Sequence, residues 1–228
     1  HGTTIRPQRK LGFNGEDQIC LMFSTDGYAV CEPDYVGLGF GERRHLYIHA
    51  DSEANAGIDM MKAVTELDSI LKLERDPMIF ISGYSQGGHA AMATHKYVED
   101  NNLLSEFNIL ASAPCSGPYE ITGAMADTIL AASYSNPGYI VYLMASYQSV
   151  YGNLYNTYSD ILRSPYDEIV VPYFNGNNTS LGMGSLNNQL PTIIQELVVD
   201  SVLQNFLNSA SDFSHPLWQA MSDNDNHD

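Results

Sequence analysis

Hydrophobic and polar positions follow two rhythms in the first half of the chain. Asp51 or Ser52 can cap a helix running to about Arg75, with Met60, Val64, Leu67 and Leu71 along one face, a stripe that predicts packing on a sheet. Asp76-Pro77 breaks that helix. The run Met78-Ile79-Phe80-Ile81-Ser82, bounded by Gly83, is continuous in the way of a central strand buried on both faces. A second run, Phe107 to Ala111, ends at Pro114. Upstream, residues 15–26 predict a short helix with acids in its first turn and Gly27 as its stop, and Tyr28 to Glu32 reads as a strand. Short strands alternating with helices over residues 1–118 predict an α/β fold with a doubly wound, mostly parallel sheet.

The pattern changes after about residue 118. Residues 128–159 carry no charged side chain yet hold 7 of the 15 tyrosines, with Pro137-Gly138 between two helical stretches. This reads as a helical insertion whose tyrosines are either ordinary core and rim residues or the underside of a lid over a ligand. A Gly/Asn-rich loop region is expected over 164–190. Pro191 then opens a helix with Ile194, Leu197, Val198, Val202 and Phe206 along one side. The division expected is an α/β core over 1–118, a helical cap over 119–222 and a linker over 223–228.

Composition narrows the function classes. At 228 residues with 44% hydrophobic and 16% charged side chains, the chain sits near the top of what one domain holds and can bury a single core, which argues against a disordered or coiled-coil chain. Ten Lys and Arg stand against 27 Asp and Glu, and a net charge of -17 repels phosphate backbones, so neither nucleic acid nor an anionic membrane is an expected partner. Residues 98–228 hold one basic residue, Arg163, and 14 acidic ones. No apolar run reaches the ~18 residues of a membrane span. Cys20, Cys31 and Cys115 lack metal-ligand spacing and read as buried free thiols, with a Cys20–Cys31 bridge open only in an oxidising compartment.

Chemistry concentrates at Gly83-Tyr84-Ser85-Gln86-Gly87-Gly88, directly after the apolar strand and directly before a helix-compatible run from His89. A nucleophilic serine must stand clear at a sharp strand-to-helix turn, which asks for Gly at the positions two before and two after it. Ser85 fits the nucleophile position. The N–H of Gln86, at the start of the helix, fits a donor to a developing oxyanion, and Gly88 and Ala90 permit close approach of helix and sheet. His1-Gly2-Thr3 could be a strand tip whose Thr3 N–H is the second donor. In Pro33-Asp34-Tyr35-Val36-Gly37-Leu38-Gly39, Asp34 reads as a residue that holds the loop.

These residues together resemble the α/β-hydrolase fold serine hydrolases, and within them the secretory-lipase-like esterases. The resemblance rests on the His-Gly-Thr tip, the loop from Pro33 to Gly39, the motif around Ser85, the strand ending Ala113-Pro114-Cys115-Ser116-Gly117-Pro118-Tyr119, and Pro137-Gly138-Tyr139. It implies hydrolysis of carboxylic esters through an acyl-enzyme on Ser85, with Gln86 and Thr3 supplying oxyanion N–H groups. Residues from about 119 to 222 would form a lid over an acyl pocket. It implies no metal or organic cofactor, an apolar or aromatic small-molecule ester as substrate, and export.

In this fold an acid and then a histidine follow the nucleophile, each on a loop after a later strand. His89 and His95 lie on the helix behind Ser85 and read as packing or surface residues. His215 precedes a helix, and Asp223 to Asp228 only faintly resembles a calcium loop. The acid and base are therefore expected beyond Asp228, with further strands before His1. His45, His49 and Asp51 read as surface residues rather than a metal site, and the sequons at Asn177 and Asn178 matter only in a eukaryotic secretory host. Two rival readings remain: a serine peptidase of the same fold, and a non-catalytic ligand-binding protein.

Overall fold

The computed structural model describes residues 17–39, 44–131, 133–175 and 182–227. Helix α1 (Asp17–Thr25) and the long helix α2 (Ala50–Leu71) precede strand β1 (Ile79–Tyr84), helix α3 (Gln86–Asp100) and strand β2 (Ile109–Cys115). The two strands pair in parallel, from Ile79 opposite Ile109 to Tyr84 opposite Cys115. A parallel pair needs a crossover, and α3 supplies it. The helix lies on one face of the strands and against α2 on its other side.

Several expectations change here. The strip of α2 that is buried is Glu53, Ala54 and Ile58, with Met61 packed against Val98 and Phe107, while Leu67 and Leu71 of the expected stripe are 50% and 54% exposed. The reason is that α2 packs on α3 rather than on the sheet. Its N-cap is His49, in extended backbone, whose Nδ1 accepts the Ser52 N–H at 3.3 Å, and it ends at Leu71 with Lys72 left-handed. β1 is covered on one face only: Phe80 and Tyr84 are 51% and 64% exposed. Its apolar run fits a covered and an open face alike. Tyr28 to Glu32 joins no ladder among the described residues. Tyr28 instead meets Phe80 edge-on at 6.0 Å, so side chains rather than backbone hold this segment near β1. None of the three thiols is buried and none forms a disulfide among the described residues: Cys31 and Cys115 are exposed, and Cys20 is half-buried with its thiol donating to Glu32 Oε1 at 2.7 Å.

Beyond β2 the described chain is helical. A π-helical turn at Ile121–Met125 leads into α4 (Ala126–Leu130), then α5 (Gly138–Tyr151). Residues 164–190, expected as loop, contain α6 (Tyr166–Ile169), α7 (Val171–Phe174) and α8 (Met183–Asn187), because Tyr173, Phe174, Met183 and Leu186 are apolar anchors buried among the Gly and Asn. The helix expected from Pro191 is broken into α9 (Ile194–Leu197) and α10 (Asp200–Asn208). Val198 leaves the helix to bridge Leu162, and the Val199 N–H donates to Ile161 O at 3.0 Å. The last helix is α11 (Pro216–Ser222), where Trp218 stacks on Phe206 at 4.6 Å.

Buried apolar residues fall into two clusters. The smaller joins Ile58, Val98 and Phe107 beneath the strands. The larger gathers the helices from Ile121 onward together with Tyr47 and Ile48. α5 is its axis: Tyr142 stacks on Tyr47 at 4.5 Å, and Tyr147, fully buried, donates its hydroxyl to Ile48 O at 3.1 Å. These two tyrosines are core residues. Among the described residues no helix is long and apolar enough to cross a membrane.

Leu186, with no exposed surface, should cost about 2–5 kcal/mol when changed to Ala. Leu67→Ala should stay within about 0.5 kcal/mol, since the side chain already faces water. Urea denaturation of the two variants checks the assignment of buried faces.

Candidate functional site

The end of β1 turns into α3 within one residue. Ser85 has φ 56° and ψ −117°, a region that costs a residue bearing a Cβ about 1–3 kcal/mol. Its N–H still belongs to the sheet, donating to Cys115 O at 2.9 Å, while its C=O already accepts the first helical bond, from the His89 N–H at 3.2 Å. Two glycines make the bend possible. A Cβ at Gly83 would lie 2.1 Å from the Gly87 carbonyl oxygen, and one at Gly88 would lie 2.6 Å from Cys115 O. At Gly87 a Cβ would meet nothing within 4 Å, so only the first of the two flanking glycines is demanded by contact.

The Ser85 side chain does not cap α3, and no acidic residue occupies the first turn. The N–H groups of Gln86, Gly87 and Gly88 meet no protein acceptor among the described residues. Unpaired N-terminal amides with the positive end of the helix dipole form a place where negative charge is stabilised. Thr3, with the rest of the His1-Gly2-Thr3 tip, lies outside the described residues.

Behind the bend sits a buried polar network. Gln86 Nε2 donates to Glu53 Oε1 at 2.7 Å and to His45 Nε2 at 2.7 Å. The other Glu53 oxygen accepts from His89 Nδ1 at 2.6 Å, and His89 Nε2 donates to Asn224 O at 3.0 Å. His45 Nδ1 faces Val36 O at 2.9 Å. Glu53, His45 and His89 are each at most 1% exposed. The partners fix the tautomers: a carbonyl and a carboxylate flank His89, so both its nitrogens carry hydrogen, whereas His45 gives its hydrogen to Val36 and accepts at Nε2. Burial alone would push His89 down, but the Glu53 bond and charge, with Asn224 O and Asp225, hold it above the ordinary histidine value. Burial also pushes His45 down, and there the bonds to Val36 and Gln86 and the Glu53 charge do not overcome it.

Residues 15–158 match the secretory lipase family. The chain belongs to that family. Solved structures agree. A variant of the rice cell wall degrading esterase LipA from Xanthomonas oryzae is 30% identical with a TM-score of 0.75, over 98% of this chain and 61% of that one. Another LipA structure is 33% identical over 84% of this chain and 50% of LipA, with a TM-score of 0.72. A protein from Legionella pneumophila, 20% identical, superposes with a TM-score of 0.79 over 99% of this chain and 62% of its own. The chain thus has the α/β-hydrolase fold and spans about three fifths of the length of the first of these relatives. No curated protein matches it.

The sequence-predicted residues divide clearly. Ser85 and Gln86 sit together at the bend. Asp34 holds its carboxylate against Gly39, where a Cβ would collide with it, in keeping with a loop-holding role. His45 and His89 are not surface residues: His45 stacks on Tyr35 at 5.9 Å and His89 has no exposed surface. His95 faces β2, bonded to Ser112 Oγ at 2.8 Å, and His215 caps α11 with its Nε2 against Asn205. Among the described residues no cluster could hold a metal ion. Asp225, in the tail compared with a calcium loop, accepts instead from the N–H groups of Ile121 and Thr122 and from the Thr122 hydroxyl. Asn177 and Asn178 lie outside the described residues. Sequence reasoning missed Glu53 altogether, although an acid on the buried side of α2, facing a Gly/Ala-rich helix, needs a partner.

Gly83→Ala should lower stability by about 1–3 kcal/mol or more, while Gly87→Ala should be neutral or gain up to about 1 kcal/mol from helix propensity. Thermal melts of the two variants compare them directly. The two histidines should also set opposite pH limits. Folding raises the His89 pKa, so its contribution is complete below the unfolded value of about 6.5 and is lost as pH rises through the folded value. Folding lowers the His45 pKa, so its contribution is present above about 6.5 and is lost as pH falls through the folded value. Denaturation midpoints across this range should lose their acid-side slope in His45→Gln and their alkaline-side slope in His89→Gln.

Proposed function

We propose that this chain carries the nucleophile of a carboxylic ester hydrolase, with Ser85 forming an acyl-enzyme. The observation that carries the reading is the strained Ser85 at the strand-to-helix bend, next to first-turn amides that meet no protein acceptor among the described residues. The Xanthomonas relative is by its name an esterase, which supports esters over amides as the bonds cleaved.

Ser85 Oγ attacks the ester carbonyl carbon as its proton passes to a general base, and the carbonyl π electrons move onto oxygen. The N–H of Gln86 receives that oxyanion, with the N–H of Thr3 as the second donor. The oxyanion collapses, the C–O bond to the alcohol breaks and the alcohol leaves with the proton. Water then repeats the sequence on the acyl-serine and releases the acid. His45 and His89 are not the base: each ring is committed to two buried bonds. The helices over 119–222 act as the cap, and their uncharged, tyrosine-rich stretch over 128–159 suits an apolar or aromatic acyl group. The family name supports export.

A fluorophosphonate probe, which phosphonylates an activated serine, tests the assignment. Ser85→Ala should abolish labelling and cut ester hydrolysis by about 1,000-fold or more without loss of fold. Labelling that survives the substitution removes Ser85 from the nucleophile role.

A further inference from the structure

The start of α3 presents a physical difficulty. A helix N-terminus is ordinarily secured by a side-chain cap and by acids in its first turn. Here Ser85 provides no cap, no first-turn residue is acidic, and Gly87 and Gly88 have no side chains to anchor. Two side chains of that turn remain, Gln86 and His89. Both end on one carboxylate, Glu53 of α2, at 2.7 Å and 2.6 Å.

We propose that Glu53 is a positioning residue for the oxyanion site: it holds the Gln86 carboxamide and His89, and through them fixes the Gln86 backbone N–H beside Ser85. The inference rests on the reading of Ser85 as nucleophile. Glu53 performs the anchoring that an N-cap would perform, but from behind, so the amides in front stay free.

The bonding pattern leaves little play. The carboxamide of Gln86 meets two acceptors, Glu53 Oε1 and His45 Nε2, so both its hydrogens are used and the side chain has one orientation. His45 is fixed by Val36 O and by the ring of Tyr35, in the loop from Pro33 to Gly39. On the other side, His89 is held by Asn224 O, while Asn226 donates to the His89 carbonyl at 3.0 Å. Asn224 Oδ1 in turn receives the Ala50 N–H at 2.7 Å, at the start of the helix that bears Glu53. Three segments distant in sequence thus converge on one turn of α3. A neutral side chain at position 53 could accept from Gln86 or from His89, but could not accept from both with ionic strength.

The test is a double-mutant cycle on ester hydrolysis, with active sites counted by fluorophosphonate so that unfolded protein does not enter the rates. Glu53→Gln should lower kcat about 10- to 100-fold while KM moves less than about threefold, because an oxyanion donor is used chiefly in the transition state. Gln86→Ala should lower kcat comparably, and the double variant should be no worse than the poorer single one, since Glu53 acts through Gln86. A wild-type kcat in Glu53→Gln, or losses that multiply in the double variant, overturns the proposal. Should Glu53→Gln fail to fold, Gln86→Met keeps the backbone N–H and removes both donated hydrogens. It should show the same kcat loss, and a wild-type kcat there overturns the proposal equally. Ser85→Ala in parallel separates the two failures: labelling that survives there refutes the nucleophile and with it this proposal, whereas labelling lost there beside a wild-type kcat in Glu53→Gln refutes the role of Glu53 alone.

Discussion

The constraint on which the structure depends is the distance between the end of β1, the start of α3 and the end of β2. Three backbone segments meet where a single Cβ at Gly83 or Gly88 would overlap a carbonyl oxygen. Only in that crowding does the Ser85 N–H reach Cys115 O while its own carbonyl opens the helix. The strain of the left-handed serine is then held by the ladder on one side and the helix on the other, as an over-determined backbone requires. The parallel pairing of β1 and β2 is thus what aims the bend.

Crowding of this kind has an electrostatic cost, because it also buries Glu53, His45 and His89. Removing an ion pair from water is expensive and is offset only where every remaining donor and acceptor is matched. The chain from Val36 O through His45, Gln86, Glu53 and His89 to Asn224 O meets that condition, with Gln86 donating to both His45 and Glu53 and His89 donating to both Glu53 and Asn224 O. A network so matched specifies one arrangement of its parts rather than merely adding stability. It connects the loop from Pro33 to Gly39, α2, α3 and the segment around Asn224, and it does so directly beneath the candidate nucleophile.

The bend was legible in the sequence because its requirements are local: an apolar run, a glycine-bracketed serine and a helix-compatible continuation all lie within about 24 residues. The α/β class followed from the same alternation. What was not legible depended on partners far along the chain. An apolar run such as Ile79 to Ile81 reads alike whether one face or both are covered, and here Phe80 stays open. The α2 stripe through Leu67 and Leu71 has correct helical spacing, yet the neighbour that decides the buried face is α3, which comes so close that a Cβ at Gly57 would lie 2.6 Å from the Thr94 hydroxyl oxygen. His45 and His89 carry no sequence mark of burial beyond their company, although a histidine beside Ala90, Ala91 and Ala93 sits on a face too small-sided to be solvated. The helix from Pro191 breaks at Val198 because Leu162 offers it a bridge, a contact across 36 positions that periodicity does not register.

The stacked pair Trp218 and Phe206 gives the molecule a built-in optical asymmetry. Trp218 is the chain's single tryptophan, is 5% exposed, and belongs to the larger apolar cluster, away from the one formed by Ile58, Val98 and Phe107. Its indole emission therefore responds to melting of the tyrosine-rich helices and is blind to loosening around α2 and α3. Coincidence of that emission with far-ultraviolet dichroism would mark the two clusters as a single cooperative unit, and divergence would mark them as two.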